Sequence, residues 1–212
     1  MKKYGILGAG AWGSAISTLI SSGEINIWTR NKKIVQSINN KKTNSYLKGI
    51  KLGKNLIATS SFNNFENCEF LFLVVPVHSI KSILKKIKKI KNQKNFIICS
   101  KGIENVNNKL LSELIKKIFP KSNLAVLSGP CFAKEVAMQL PTAITLSCDN
   151  LKYFNRIKDL IAKKYFRVYY NNDLIGSQLG GAVKNVYAIG AGIIEGLRLG
   201  ENAKSAYISR SF

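Results

Sequence analysis

The sequence predicts an α/β fold: a doubly wound sheet followed by the start of an all-α C-terminal domain. Three observations carry this prediction. Short β-rich runs alternate with helical patterns from the first residue. The run Phe70-Leu71-Phe72-Leu73-Val74-Val75 is apolar at every position, as a central strand covered by helices on both faces should be. Near Asp173 the texture changes to one long helix rich in Gly and Ala, with no strand after it.

Taken in order, strands are expected at Lys3–Leu7, Ile25–Trp28, Leu56–Thr59, Phe70–Val75, Phe96–Cys99, Leu124–Leu127 and Ala143–Cys148. The first helix runs from Trp12 to Ser21. A second places Ile80, Ile83, Leu84, Ile87 and Ile90 on one face, with lysines opposite. A third runs through Leu110, Leu111, Leu114, Ile115 and Ile118, and the last from Asp173 to Leu199. This divides the chain at about Asn172, into 1–172 and 173–212. Forty residues cannot form an independent core. The second domain is therefore expected to be incomplete, either truncated or completed by another chain.

Composition narrows the function. An apolar fraction of 46% is ample for a packed core. The net charge of +22 invites a nucleic-acid reading, but the lysines are spread over every segment. The densest run, Lys81 to Lys91, has amphipathic spacing, and the abundance of Asn and Ile alongside Lys is typical of AT-rich genomes. No nucleic-acid-binding pattern accompanies the charge, so no nucleic-acid partner is expected. A basic field still attracts anionic cofactors and phosphorylated substrates. Cys68, Cys99, Cys131 and Cys148 show no C-x-x-C spacing and read as reduced thiols of a cytoplasmic protein. No stretch reaches transmembrane length, no export signal is expected, and no cluster has metal-ligand spacing.

The strongest motif is Gly8-Ala9-Gly10-Ala11-Trp12-Gly13, a G-x-G-x-x-G directly after the first strand and opening a helix. Gly8 permits the tight turn, Gly10 lets the backbone approach a pyrophosphate, and Gly13 lets the helix pack close to the sheet. The amides of the helix N-terminus then face the anion. This is a Rossmann-type dinucleotide site. After the second strand, Ile27-Trp28-Thr29 leads into Arg30 where an NAD-specific site usually carries an acid. A guanidinium there can pair with a 2′-phosphate, which favours NADP(H) and leaves NAD(H) open.

Four further segments follow in order: Val75-Pro76, Ser100-Lys101-Gly102-Ile103-Glu104, Leu127-Ser128-Gly129-Pro130-Cys131-Phe132-Ala133, and Gly180-Gly181-Ala182-Val183-Lys184-Asn185. With the glycine motif and Trp28-Thr29-Arg30, the chain resembles the bacterial-type NAD(P)-dependent glycerol-3-phosphate dehydrogenases over essentially its whole length. The resemblance implies reversible reduction of dihydroxyacetone phosphate to sn-glycerol 3-phosphate, a phospholipid precursor. It also implies that Ala11, Trp12, Arg30, Lys101 and Ala133 contact the cofactor and that Lys101, Gly129, Cys131 and Lys184 meet the substrate. Lys184 would be the catalytic acid/base. A homo-oligomer is left open.

The chemistry suits a lysine. Hydride arriving at a ketone leaves an alkoxide that must be protonated or held by a positive group, and desolvation can bring a lysine's pKa into range. Ser177, Gly180, Gly181, Ala188 and Ala191 share its helical face, so that face is expected to approach another surface closely. The alternative for that face is a tight helix–helix seam from which the lysine reaches solvent. His78 is expected to open a helix, and Asp149 and Asp173 to mark turns or helix starts.

The chain departs from the family pattern in three ways. Cys131 stands where Ser or Thr is usual, Gln178 replaces a glutamate, and the family's later aspartate and Arg-Asn pair have no counterpart in these residues. A dinucleotide-binding remnant with weak or no catalysis is therefore the second reading, and a hydroxyacid or ketol-type reductase the third.

Overall fold

The computed structural model describes residues 1–90 and 95–211. Lys91, the end of the lysine run, lies outside them. The strands are β1 (Lys3–Leu7), β2 (Glu24–Trp28), β3 (Leu56–Thr59), β4 (Phe70–Leu73), β5 (Asn95–Ile98), β6 (Asn123–Ser128), β7 (Thr142–Ser147) and β8 (Phe166–Asn171). The α-helices are α1 (Ala11–Leu19), α2 (Lys32–Gln36), α3 (Val77–Ile90), α4 (Leu111–Ile118), α5 (Ala133–Ala137), α6 (Leu151–Ile161), α7 (Leu174–Gly196) and α8 (Gly200–Arg210).

One eight-stranded sheet runs in the order β3-β2-β1-β4-β5-β6-β7-β8. The chain leaves β1 toward β2 on one side and returns to β4 on the other. That reversal opens a crevice above the carboxyl ends of β1 and β4, where open α/β sheets bind ligands. Every pairing is parallel except β6 with β7, which is antiparallel. The short α5 between β6 and β7 does not return the chain to the far end of the sheet, as a parallel crossover must.

Both faces of the sheet are covered, and β4 demonstrates it. Phe70 and Phe72 join the cluster built with Ile16 and Leu19 of α1 and Phe154 and Ile157 of α6. Leu71 and Leu73 alternate into the opposite cluster, with Ile80 and Ile83 of α3 and Leu114 and Ile115 of α4. Alternate residues of a strand point to opposite faces, so an all-apolar run must be buried twice. The sheet is doubly wound.

The last strand and four of the helices, α2, α5, α6 and α8, were not anticipated. β8 alternates buried and exposed residues at the sheet edge, and α6 buries Tyr153, Phe154, Ile157, Leu160 and Ile161 along one face. The final helix is also shorter than its expected end at Leu199. It stops at Gly196, and a turn with Arg198 and Gly200 both at positive φ leads into α8. Among the described residues, no helix is long and apolar enough to cross a membrane.

Candidate functional site

The glycine turn after β1 combines three different requirements. Gly8 sits at φ +126, and a Cβ there would lie 2.5 Å from the carbonyl oxygen of Val74. A Cβ on Gly13 would collide with the carbonyl oxygen of Gly8. Gly10 is different: a Cβ there would meet nothing within 4 Å. The fold itself does not need a glycine at this position, so the open space is available to a ligand. Gly10 is the N-cap of α1 and makes no side-chain cap bond, which leaves the first-turn amides at Ala11, Trp12 and Gly13 without a capping side chain.

A residue that sequence reasoning missed braces this turn. Buried Asn44 donates from Nδ2 to the Ala9 carbonyl at 2.9 Å and to Ser14 Oγ at 2.7 Å, while its Oδ1 accepts from the Tyr46 amide. Asn44→Ala is expected to lower stability by about 1–3 kcal/mol, because it leaves a buried carbonyl without its donor. Urea unfolding measures this; an unchanged midpoint would show that Ala9 finds another partner.

Beside the turn, Trp12, Cys99, Lys101, Leu127, Gly129, Cys131, Ala133 and Ile144 line a pocket of ≈ 250 Å³. Five of these, Trp12, Lys101, Gly129, Cys131 and Ala133, were singled out from sequence, though they come from three separate segments. Their meeting follows from topology, since β1, β5 and β6 are mutually parallel and their following loops emerge at one edge. Antiparallel β7 begins at that edge, which brings in Ile144. Ser100 stitches the rim together by donating to the Leu73 and Val75 carbonyls at 3.0 and 2.6 Å.

Lys101 projects into this region with Nζ 3.4 Å from the Gly129 carbonyl. Burial of its side chain lowers its pKa, and the neighbouring Lys184 ammonium lowers it further. Two like charges brought together at a crevice edge form a place for an anion. Cys131 turns its thiol toward the Ala143 carbonyl, at 3.6 Å, and burial raises its pKa against the pull of the two lysines. It is a weak donor already occupied.

Lys184 stands on α7, which crosses above this edge. Gly181 explains the approach, since a Cβ there would lie 3.4 Å from Ser128 Oγ and 3.6 Å from Lys101 Cγ. Ser177 makes a hydrogen bond of 2.5 Å with Ser147. The small-residue face divides: Ser177 and Gly181 meet the sheet, whereas Gly180, Ala188 and Ala191, with Lys184 among them, line a cleft with Tyr207 and Ile208 of α8. Lys184 itself is exposed, not desolvated as its anticipated chemistry would want.

Arg30 is exposed just beyond β2, apart from the pocket. His78 lies exposed in the first turn of α3, and Asp173 caps α7 by accepting from the Gly176 amide at 2.7 Å. Among the described residues, no three His, Cys, Asp or Glu side chains gather as a metal site.

The family model described as NAD-dependent glycerol-3-phosphate dehydrogenase N-terminus matches residues 3–154, and its C-terminus counterpart matches 173–212. The chain belongs to this glycerol-3-phosphate dehydrogenase family. It is 40% identical over 210 residues to glycerol-3-phosphate dehydrogenase [NAD(P)+] of Erythrobacter litoralis, covering 98% of this chain and 63% of that protein. The like-named protein of Novosphingobium aromaticivorans is 41% identical over 214 residues, covering 99% and 64%. The crystal structure of glycerol-3-phosphate dehydrogenase from Coxiella burnetii superposes with a TM-score of 0.92 at 31% identity, covering 99% of this chain and 66% of that one. The chain thus spans a little under two thirds of the length of these relatives.

Proposed function

We propose that the chain is an NAD(P)H-dependent glycerol-3-phosphate dehydrogenase, reversibly converting dihydroxyacetone phosphate to sn-glycerol 3-phosphate, a phospholipid precursor, in the cytoplasm. The observation that carries the proposal is the pocket that Lys101, Gly129 and Cys131 line beside an uncapped helix N-terminus, with Lys184 of α7 next to Lys101.

The residues present fit a dinucleotide. The amides opening α1 and the bare Cα of Gly10 would hold its phosphates. Trp12 and Ala133 would border its reactive end, and Arg30 would pair with a 2′-phosphate. When bound, the nicotinamide supplies or accepts the hydride. Lys101 would hold the substrate beside Gly129, with Cys131 adding shape more than hydrogen bonding. Lys184 would give its proton to the substrate's carbonyl oxygen as that oxygen becomes an alkoxide, and take it back in the reverse direction. Domain roles would then be 1–172 for the cofactor and one wall of the substrate site, and 173–212 for the other wall, which carries Lys184.

The test follows NADPH absorbance in the presence of dihydroxyacetone phosphate, with NADH as the control. Consumption supports the proposal; binding without consumption selects a dinucleotide-binding protein of little catalytic power. The exposure of Lys184 favours that second reading. Arg30→Ala is expected to weaken NADPH binding about tenfold or more, the size of one charge-assisted bond of about 1.5–3 kcal/mol, and to leave NADH binding unchanged. Equal effects on the two nucleotides, by fluorescence titration, would remove Arg30 from the 2′-phosphate.

A further inference from the structure

α7 buries one residue fully along its length, and that residue is polar. Gln178, 6% exposed, uses every hydrogen-bonding group of its amide. Its Oε1 accepts from the Ser112 amide at 3.0 Å, and its Nε2 donates to Ser112 Oγ and to the Leu174 carbonyl, both at 2.9 Å. Ser112 lies in the first turn of α4, whose N-cap position is the apolar Leu110 and has no side-chain cap bond. A helix begun that way leaves first-turn amides without partners, and Gln178 supplies one from another helix. One residue earlier, Ser177 bonds Ser147 of β7. Consecutive helical residues project about 100° apart, so these two bonds grip α7 from different directions. One grip alone would leave the helix free to roll. Ser177 and Lys184 are seven residues apart and share a face, with Gly181 between them over Lys101.

We propose that Gln178 is a positioning residue: its amide locks the rotation of α7 against α4 and thereby holds Lys184 opposite Lys101. This rests on the reading of Lys184 as the acid/base. A glutamate at 178 would still cap Ser112, and its charge would suit a helix N-terminus, but an ionised carboxylate cannot donate to the Leu174 carbonyl. The neutral amide completes a set of bonds that a carboxylate leaves one short.

The experiment compares wild-type, Gln178→Leu and Gln178→Glu chains by acylation of lysines across pH, resolved for each lysine by mass spectrometry. NADPH affinity is measured alongside. Burial lowers the pKa of Lys101 and Lys184 opposite lowers it further, so in the wild-type chain Lys101 labels at lower pH than a free lysine does. In Gln178→Leu the pH midpoint for Lys101 moves up, with NADPH affinity unchanged and kcat for dihydroxyacetone phosphate reduced more than KM is raised. Gln178→Glu falls between the two. A folded Gln178→Leu chain with an unmoved Lys101 midpoint overturns the proposal and leaves Gln178 as a cap for α4 alone. Should Gln178→Leu fail to fold, Ser112→Ala removes one bond of the three, and the same upward shift, smaller, is required of it. A wild-type chain that does not bind NADPH would end the dehydrogenase reading, while the labelling would still report on the rotation of α7.

Discussion

Lys184→Ala is expected to slow dihydroxyacetone phosphate reduction by roughly 10²–10⁴-fold, the range for loss of a positioned general acid, with NADPH affinity unchanged. The separation follows from where the residues lie. The turn that would hold the dinucleotide phosphates belongs to β1 and α1, whereas Lys184 is carried on α7 and neighbours Lys101 and Cys131. Removing its ammonium leaves the glycine turn, Asn44 and the helix amides untouched. Burial would still lower the Lys101 pKa, but the further lowering by the Lys184 ammonium would be gone, so Lys101 should bind a proton somewhat more readily. Lys184→Arg sharpens the test. A guanidinium can steady a developing negative charge but does not release its proton near neutral pH, so partial recovery would indicate charge stabilisation without proton transfer. Stopped-flow absorbance gives the rate and fluorescence titration the affinity. Loss of both together would make Lys184 a structural residue.

The parts legible in the sequence were those whose physics is local. The β1 strand, the glycine turn and the start of α1 announce themselves because backbone approach forbids a side chain at Gly8 and Gly13. The all-apolar β4 run reports two-sided burial directly. β8 and α6 carried signals too: Phe166 and Val168 alternate with exposed Arg167 and Tyr169, and the buried residues of α6 repeat at helical spacing. Mixed lysine and aromatic letters obscured both. Other features have no local signature. Asn44 reaches the glycine turn from far along the chain, and Gln178 finds Ser112 across 66 positions. Neither Asn nor Gln is unusual where it stands, and only the folded topology reveals its partners. The reversal at β7 was hidden for the same reason, because strand direction depends on how the intervening loop crosses the sheet.

The glycine turn allows the cofactor proposal to be separated from the requirements of the fold. Gly13→Ala is expected to cost about 3 kcal/mol, the upper end of what overpacking usually costs, because the new methyl meets a backbone carbonyl that cannot rotate away. Gly10→Ala should cost no more than about 1 kcal/mol, since φ −74 and ψ −175 suit any residue and alanine is only a poorer N-cap than glycine. Yet Gly10→Ala should weaken NADPH binding roughly tenfold to a hundredfold, as a methyl beside the α1 amides keeps an anion from one or more charge-assisted bonds of about 1.5–3 kcal/mol each. Thermal melts with and without NADPH read both effects, because a ligand at concentration L that binds only the native state stabilises it by RT ln(1 + L/Kd), so weaker binding at the same concentration raises Tm less. Gly13→Ala should melt early. Gly10→Ala should melt near wild type and gain little from NADPH. A full NADPH-induced shift in Gly10→Ala would mean that the open space above Gly10 has no bearing on phosphate binding, and the dinucleotide would have to be held elsewhere.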